Sequence, residues 1–359
     1  MNYLHVPCYM SSKVKHGGYK RSIQISKTIE NLGGTLFDPY ALNKKEAIRA
    51  SFHNPVFLFR SFFTSIIFII FFGVNIKFFF PLVVYSTLLL QRVSKKDFDC
   101  VLLEVGPGFP IVFMRLLKML NVQYDAMPHN IEFMVPSQTE VFFRSDNHLF
   151  SNEIFGYKHA RRVFVISRHD QIMLSNMGVM AYVYSYYPVA DEYEAVIKIR
   201  EFRKQKEKSY RALLMGTISN PPTFRGIMNF ISEIKSLNIK MHNYIFEIAG
   251  YGTEKLKAYE GDNVKVLGTL SDKELISVLS DVDMLIISQP QTSGFLTKIV
   301  EFNLSGIPVI VISDYFQSEN LEEYGVYRVD NIEEVDFILN TKLSFSYFNS
   351  PDIKIFLDL

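Results

Sequence analysis

A lysine and a glutamate three residues apart, Lys298 and Glu301, follow a glycine, Gly294, in a stretch patterned as a short helix. That set can hold a phosphorylated ligand. Glycine lets backbone approach a phosphate, and the helix after it aims free N–H groups and a partial positive charge at the anion. Lys298 adds a cation in the first turn, where helix-dipole reasoning alone would not place one. Glu301 shares its helical face. A cation for a diphosphate beside a carboxylate for sugar hydroxyls is how a protein would hold a nucleotide-sugar. Taken alone, the same residues also describe a surface Lys–Glu pair on an ordinary crossover helix.

The flanking elements decide where these groups point. Residues 282–287 and 307–312 are apolar strand-like runs on either side. Strand, glycine loop, helix, strand is the pattern of a parallel α/β domain, whose ligands sit at the carboxyl ends of strands. Further strands are expected at residues 3–8, 99–104, 122–127, 162–167, 182–187 and 211–215. Residues 19–32 read as a helix with Ile23, Ile25, Ile29 and Leu32 inward, stopped by Gly33-Gly34. Strands alternating with helices imply parallel sheets. The expected architecture is two doubly wound Rossmann-like domains facing across a cleft. Residues 1–188 form the first, 189–210, dense in charge, a linker or exposed helix, and 211–359 the second.

Three other loops carry candidate groups. Gly17 and Gly18 lie between the first strand and first helix, His129 and Asn130 follow a strand, and Gly216, Thr217 and Arg225 surround Pro221-Pro222. Each has an ordinary reading: a flexible turn, a polar surface histidine, a solvent-facing arginine. Together with Ser293-Gly294, Lys298, Glu301, Ser305-Gly306 and Pro308-Val309, they resemble the motifs of GT-B glycosyltransferases of the retaining, nucleotide-sugar-dependent type (the group 1, family 4-like proteins). That family carries an N-terminal Gly-Gly loop and a His-Asn-hydrophobic-Glu segment, here His129 to Glu132. Its first C-domain loop reads Gly-x-hydrophobic-x-x-Pro-Pro-Asn, with Thr223 standing for the Asn. Many members have a second Glu where this chain has Ser293; the variant Ser-Gly-x-x-x-Lys-x-x-Glu is the closer likeness. The match is good over residues 211–312 and thinner over 1–186.

The resemblance implies a glycosyltransferase of the hexosyltransferase type that moves a sugar from a nucleotide-diphosphate donor to a saccharide acceptor, with retention. It implies nucleotide-sugar binding by Gly17, Gly18, Gly216, Thr217, Arg225, Gly268, Gly294, Phe295 and Glu301. His129 and Lys298 are the expected catalytic groups, His129 at the sugar and Lys298 on the leaving diphosphate. No Asp-x-Asp stands at a strand end, since Asp281-Val-Asp283 opens one, so neither metal nor cofactor is expected. Two other readings stay open: a nucleotide-sugar epimerase of the same fold, which a second catalytic carboxylate would favour, and a catalytically silent scaffold subunit.

Composition limits the partners. The 359 residues carry a formal net charge of +1, which argues against nucleic acid. Yet residues 1–98 hold 13 Lys/Arg against 4 Asp/Glu, an excess of +9, leaving −8 for the other 261. Cys8 and Cys100 sit in apolar runs without metal-ligand spacing and read as reduced thiols. Met1 to Met10 lacks a signal-peptide pattern, so a cytoplasmic site is expected. Within the basic part, residues 55–96 contain two Phe-rich runs, with ten phenylalanines from Phe57 to Phe80. Each run falls short of the roughly 20 apolar residues a span needs. Peripheral attachment to the inner face of the cytoplasmic membrane comes first, aided by Arg60, Lys77, Arg92, Lys95 and Lys96. A buried core helix comes second and a span third. A domain resting on a membrane makes a lipid-linked saccharide the natural acceptor.

Overall fold

The computed structural model describes residues 1–11, 16–135, 142–237, 244–288, 293–312, 321–331, 334, 335, 338 and 345–356. The chain divides into two compact units. The first takes Met1–Tyr187 with residues 293–295 and 350–356, and the second takes residues 188–288 and 296–349.

The first unit is built on strands β1 (Tyr3–Val6), β2 (Thr35–Leu36), β3 (Cys100–Val105), β4 (Tyr124–Pro128), β5 (Arg162–Val165) and β6 (Tyr182–Val183). All neighbours are parallel, in the order β2-β1-β3-β4-β5-β6. Every residue of β1, β3, β4 and β5 is buried, as expected of parallel strands covered on both faces. Helices α1 (Gly17–Asn31), α2 (Lys44–Ser51), α3 (Pro55–Phe71), α4 (Phe79–Val93), α5 (Phe109–Met119), α6 (Asp146–His159) and α7 (Arg168–Asn176) connect them. α4 is a core helix: Leu82, Leu89 and Val93 join Leu4, Val101, Leu103 and Phe113 in one apolar cluster. At the amino ends of the strands, Asp125 pairs with Arg161 and Arg162, and Arg162 also donates to the carbonyl of Ile355. Phe356 is buried beside Tyr3, Phe164 and Tyr184, so residues 350–356 complete this unit, not the second one.

The second unit has strands β7 (Arg211–Met215), β8 (Ile245–Ala249), β9 (Val264–Gly268), β10 (Met284–Ile287), β11 (Val309–Ile312) and β12 (Val326–Val329). They too are all parallel, in the order β12-β11-β10-β7-β8-β9. Its helices are α8 (Ala190–Arg203), α9 (Pro221–Leu237), α10 (Asp272–Asp281) and α11 (Thr297–Leu304). Residues 189–210 differ from the linker expectation. α8 buries Val196 and Ile199, and Arg203 ties it to the carbonyls of Leu279 and Gly306. Asp281 and Asp283 pair with Arg211 and Lys206, which gives both acids structural partners. Each sheet reverses its strand order once, between β1 and β3 and between β7 and β10. Those are the points where doubly wound folds bind ligands.

Candidate functional site

At the reversal point of the first sheet, Glu104 near the end of β3 is the hub. Its carboxylate accepts from His5 Nε2 at 2.7 Å, His129 Nε2 at 2.9 Å, the Cys8 backbone N–H at 3.1 Å, and the Ser22 hydroxyl. Burial alone would push this carboxyl up, but the bonds from His129 and His5 hold it well below the usual carboxylate range. A charged acceptor at Nε2 makes that nitrogen of His129 the donor, so Nδ1 carries the lone pair in the neutral ring. Burial lowers the His129 pKa, and Glu104 opposes that fall. His129 itself follows β4, where its N–H continues the sheet onto Val105, and its ring meets the edge of Tyr9 at 4.8 Å.

The loop from His129 to Glu132 is held on all sides within this unit. Ser293 Oγ accepts from the Ile131 N–H at 2.8 Å and donates to its carbonyl at 3.0 Å. The Gly294 N–H donates to the Asp170 carboxylate at 3.1 Å. Gly294 has φ +86°, and a β-carbon there would meet Asn130 Oδ1 at 2.2 Å. This glycine therefore permits close approach to the Asn130 loop, and its amide is occupied by a carboxylate where phosphate contact was expected. Glu132 and Glu153 are fully buried below. Glu153 accepts from the Glu132 and Phe133 amides and from Tyr157, and burial pushes it up to about 7. Burial beside Glu153 also raises Glu132 well above the ordinary range.

Gly17 and Gly18 open α1 two residues earlier than the sequence pattern suggested, with His16 as N-cap. Gly18 is required by packing, because a β-carbon would meet the Tyr9 ring at 2.8 Å. Arg21, one turn on, is buried above Tyr184, and among the described residues none of its guanidinium nitrogens has an acceptor. Phe295 is half-buried in the same unit.

At the reversal point of the second sheet, Lys298 in the first turn of α11 reaches back to the carbonyl of Met215, the last residue of β7, at 2.9 Å. Its ammonium is desolvated, which lowers its pKa to about 8. Among the described residues, no side chain caps the start of α11. Glu301 stands one turn further on, half-buried. Gly216 and Thr217 follow Met215, and the loop after β8 presses on them: a β-carbon on Gly250 would meet the Gly216 carbonyl at 2.1 Å. Gly268 ends β9 with φ +78° and accepts from the Gly250 N–H. Arg225 is exposed on α9, whose Pro221-Pro222 start removes two of the N–H groups that an anion would use. Lys298 is thus brought to the carboxyl end of β7, beside the residue that Gly216 and Thr217 follow, while Arg225 is an exposed side chain on α9. Among the described residues, no group of three or more His, Cys, Asp or Glu is placed to hold a metal ion.

Sequence reading missed Glu104, His5, Arg21, Asp170 and Glu153 as parts of the site. An acid near the carboxyl end of an otherwise apolar strand is the signal that could have flagged Glu104.

Solved structures resemble the chain over nearly its whole length. Sucrose-phosphate synthase from Thermosynechococcus elongatus is 14% identical over 94% of this chain and 89% of that one, with a TM-score of 0.61. A glycosyltransferase from Rickettsia africae is 15% identical over 95% and 89%, with a TM-score of 0.58. The fold is GT-B. Anabaena HepE, solved with UDP and glucose, shares the GT-B likeness at 14% identity over 95% and 89%, with a TM-score of 0.56. No protein-family model and no curated protein sequence matches the chain. The GT-B likeness therefore concerns the fold, and the chemistry must be argued from the residues.

Proposed function

We propose that the chain transfers a glycosyl unit, with retention, from a nucleotide-diphosphate sugar to a lipid-linked saccharide in the assembly of a surface polysaccharide or glycolipid. The observation that carries this reading is the Lys298 ammonium held on the Met215 carbonyl at the reversal point of the second sheet. It sets a partly desolvated cation beside an uncapped helix start, in the arrangement that a leaving diphosphate needs. Glu301 would take the ribose hydroxyls. Lys298 and backbone N–H groups neutralise the diphosphate without a metal. His129, oriented by Glu104, offers Nδ1 to the sugar, where it accepts from a hydroxyl or faces the charge developing at the anomeric carbon. Structures of GT-B proteins solved with UDP and with UDP-sugar support a nucleotide-sugar donor.

Epimerisation would need an open carboxylate next to the sugar. Glu104, Glu132, Glu153 and Asp170 are all buried, so transfer comes first. The deciding experiment incubates the protein with a panel of nucleotide sugars, with and without a lipid-linked acceptor, and measures nucleotide release and sugar configuration. Acceptor-dependent release is expected. Conversion of the donor sugar without acceptor would replace transfer with epimerisation, and no turnover with any donor would favour the scaffold reading.

A further inference from the structure

α3 is built inside out. Three of its four buried residues are small and polar: Ser61 and Ser65 are 0% exposed and Thr64 is 7%, with Phe68 at 0% as the apolar member that anchors the helix to the core. Its outer stripe is apolar: Val56 is 71% exposed, Phe59 66%, Ile70 58% and Phe71 70%, with Phe62, Phe63 and Ile67 exposed between them. A helix on a water-facing surface shows the reverse pattern. Small hydroxyl residues at a helix contact, with apolar ones outward, describe helices that pack in lipid, where the surroundings are as apolar as the side chains. The partner in that contact is α4, whose Ser86 and Thr87 are buried and whose leucines lie in the core of the unit.

The ends of α3 fit the same medium, where every backbone polar group needs an internal partner. Asn54 caps the start by accepting from the Phe57 N–H. At the finish, Arg144 donates to the carbonyls of Ile69 at 2.6 Å and Ile70 at 3.1 Å, and Asn152 donates to that of Phe72 at 2.8 Å. Beyond the turn, Ile76 and Phe80 extend the exposed apolar surface. Charge identifies the partner. From residue 47 to residue 96 there is no Asp or Glu, while Arg60 and Lys77 are exposed at the patch.

We propose that the outer face of α3 inserts into one leaflet of an anionic lipid membrane, with α4 behind it as part of the protein core. The 17 residues of α3 extend about 25 Å. One stripe of that length is fixed to α4, so the helix lies in the interface and does not cross. Together with the turn before it, α4 makes an 18-residue stretch, Ile76–Val93, apolar and long enough to be mistaken for the membrane segment, yet its leucines are spent inside the unit. This inference is independent of the proposed transfer reaction.

The chain has no tryptophan, so Phe63→Trp provides a single fluorescent reporter on the outer face. With vesicles of phosphatidylcholine and phosphatidylglycerol, its emission should shift to the blue and be quenched by brominated acyl chains. With phosphatidylcholine alone, the binding should be weaker. Combined Phe59→Ser, Phe63→Ser, Ile67→Ser and Ile70→Ser should abolish vesicle flotation while a thermal melt still shows a folded chain. If that variant fails to fold, the tryptophan reporter still decides. Emission unchanged by every vesicle would overturn the inference. So would a lipid-free blue shift that grows with protein concentration and tracks a dimer by light scattering, which would assign the face to a second copy of the chain. Equal binding to neutral and mixed vesicles would overturn its anionic part.

Discussion

Glu104 stays ionised in full burial because four donors converge on it, two of them imidazoles. Its folded pKa lies below the unfolded value near 4.5, so it contributes stability above that pH and loses it as pH falls below. Glu104→Gln removes the charge and leaves His5 and His129 facing an amide. A loss of about 3–5 kcal/mol is expected at neutral pH, the scale for breaking a buried pair. Denaturant melts should show the gap to wild type narrowing below about pH 4.5. Lys298 gives the opposite limb. Desolvation lowers its pKa to about 8, and in the proposed reaction the leaving diphosphate would need the charged form. The wild-type kcat/KM should therefore decline as pH rises through about 8, and Lys298→Arg, which stays charged, should lose that decline. Lys298→Met should lower kcat by about 100-fold, the scale for one donor to a developing anion, with little change in KM. A change in KM alone would make Lys298 a ground-state anchor. Glu301→Gln should weaken binding of the donor nucleotide about tenfold, equivalent to about 1.4 kcal/mol, by calorimetry. Unchanged affinity would remove Glu301 from the ribose.

At the scale of elements, a glycine's reason lies in what comes close to it. Gly294→Ala would set a β-carbon against Asn130 Oδ1 and the His129 carbonyl, at a φ of +86° that also strains alanine. The His129 loop should shift, with turnover falling at least about tenfold, since small misplacements at a reaction centre are costly. Adding Asn130→Gly removes one of the two clashes and should restore activity only in part, as steady-state kinetics would show. Full restoration would mean that backbone strain plays no role. This loop also shows what was legible in advance. Period and turn residues located β7 at residues 211–215 and placed β1, β3, β4 and β5 within two residues, because buried parallel strands read as apolar runs. The two-residue β2 and the half-exposed β12 lacked such runs and were missed. That Lys298 and His129 lie in segments following strands could be read from the sequence, while the roles given to them belong to the proposed function. For Glu104 the sequence offers only an acid near the end of an apolar strand, and its importance lies in four partners that come from β1, its following loop, α1 and the loop after β4. The Phe-rich segment was legible only as composition. That α4 belongs to the core while α3 turns its serines inward depends on tertiary packing, which overrides any hydropathy count.

Across the whole molecule, a net charge of +1 conceals an excess of +9 in residues 1–98 and −8 in the rest. An anionic surface attracts the first part and repels the second, so charge both strengthens and orients an encounter with it. Arg92 pairs with Asp97 at 2.5 Å and is partly spent. Arg60, Lys77, Lys95 and Lys96 remain exposed, and each basic residue near such a surface strengthens binding about fivefold. Raising salt from about 0.15 M to about 1 M shortens the screening length from about 8 Å to about 3 Å and should remove most of that attraction. The apolar contact of α3 is not screened, so part of the protein should stay on vesicles at high salt and leave only with detergent. Flotation across a salt series checks both contributions at once. Complete release by salt would reduce the contact to charge alone and leave the exposed phenylalanines without lipid. No release at any salt would show that the basic residues do not reach the surface, and that insertion of α3 alone holds the protein there.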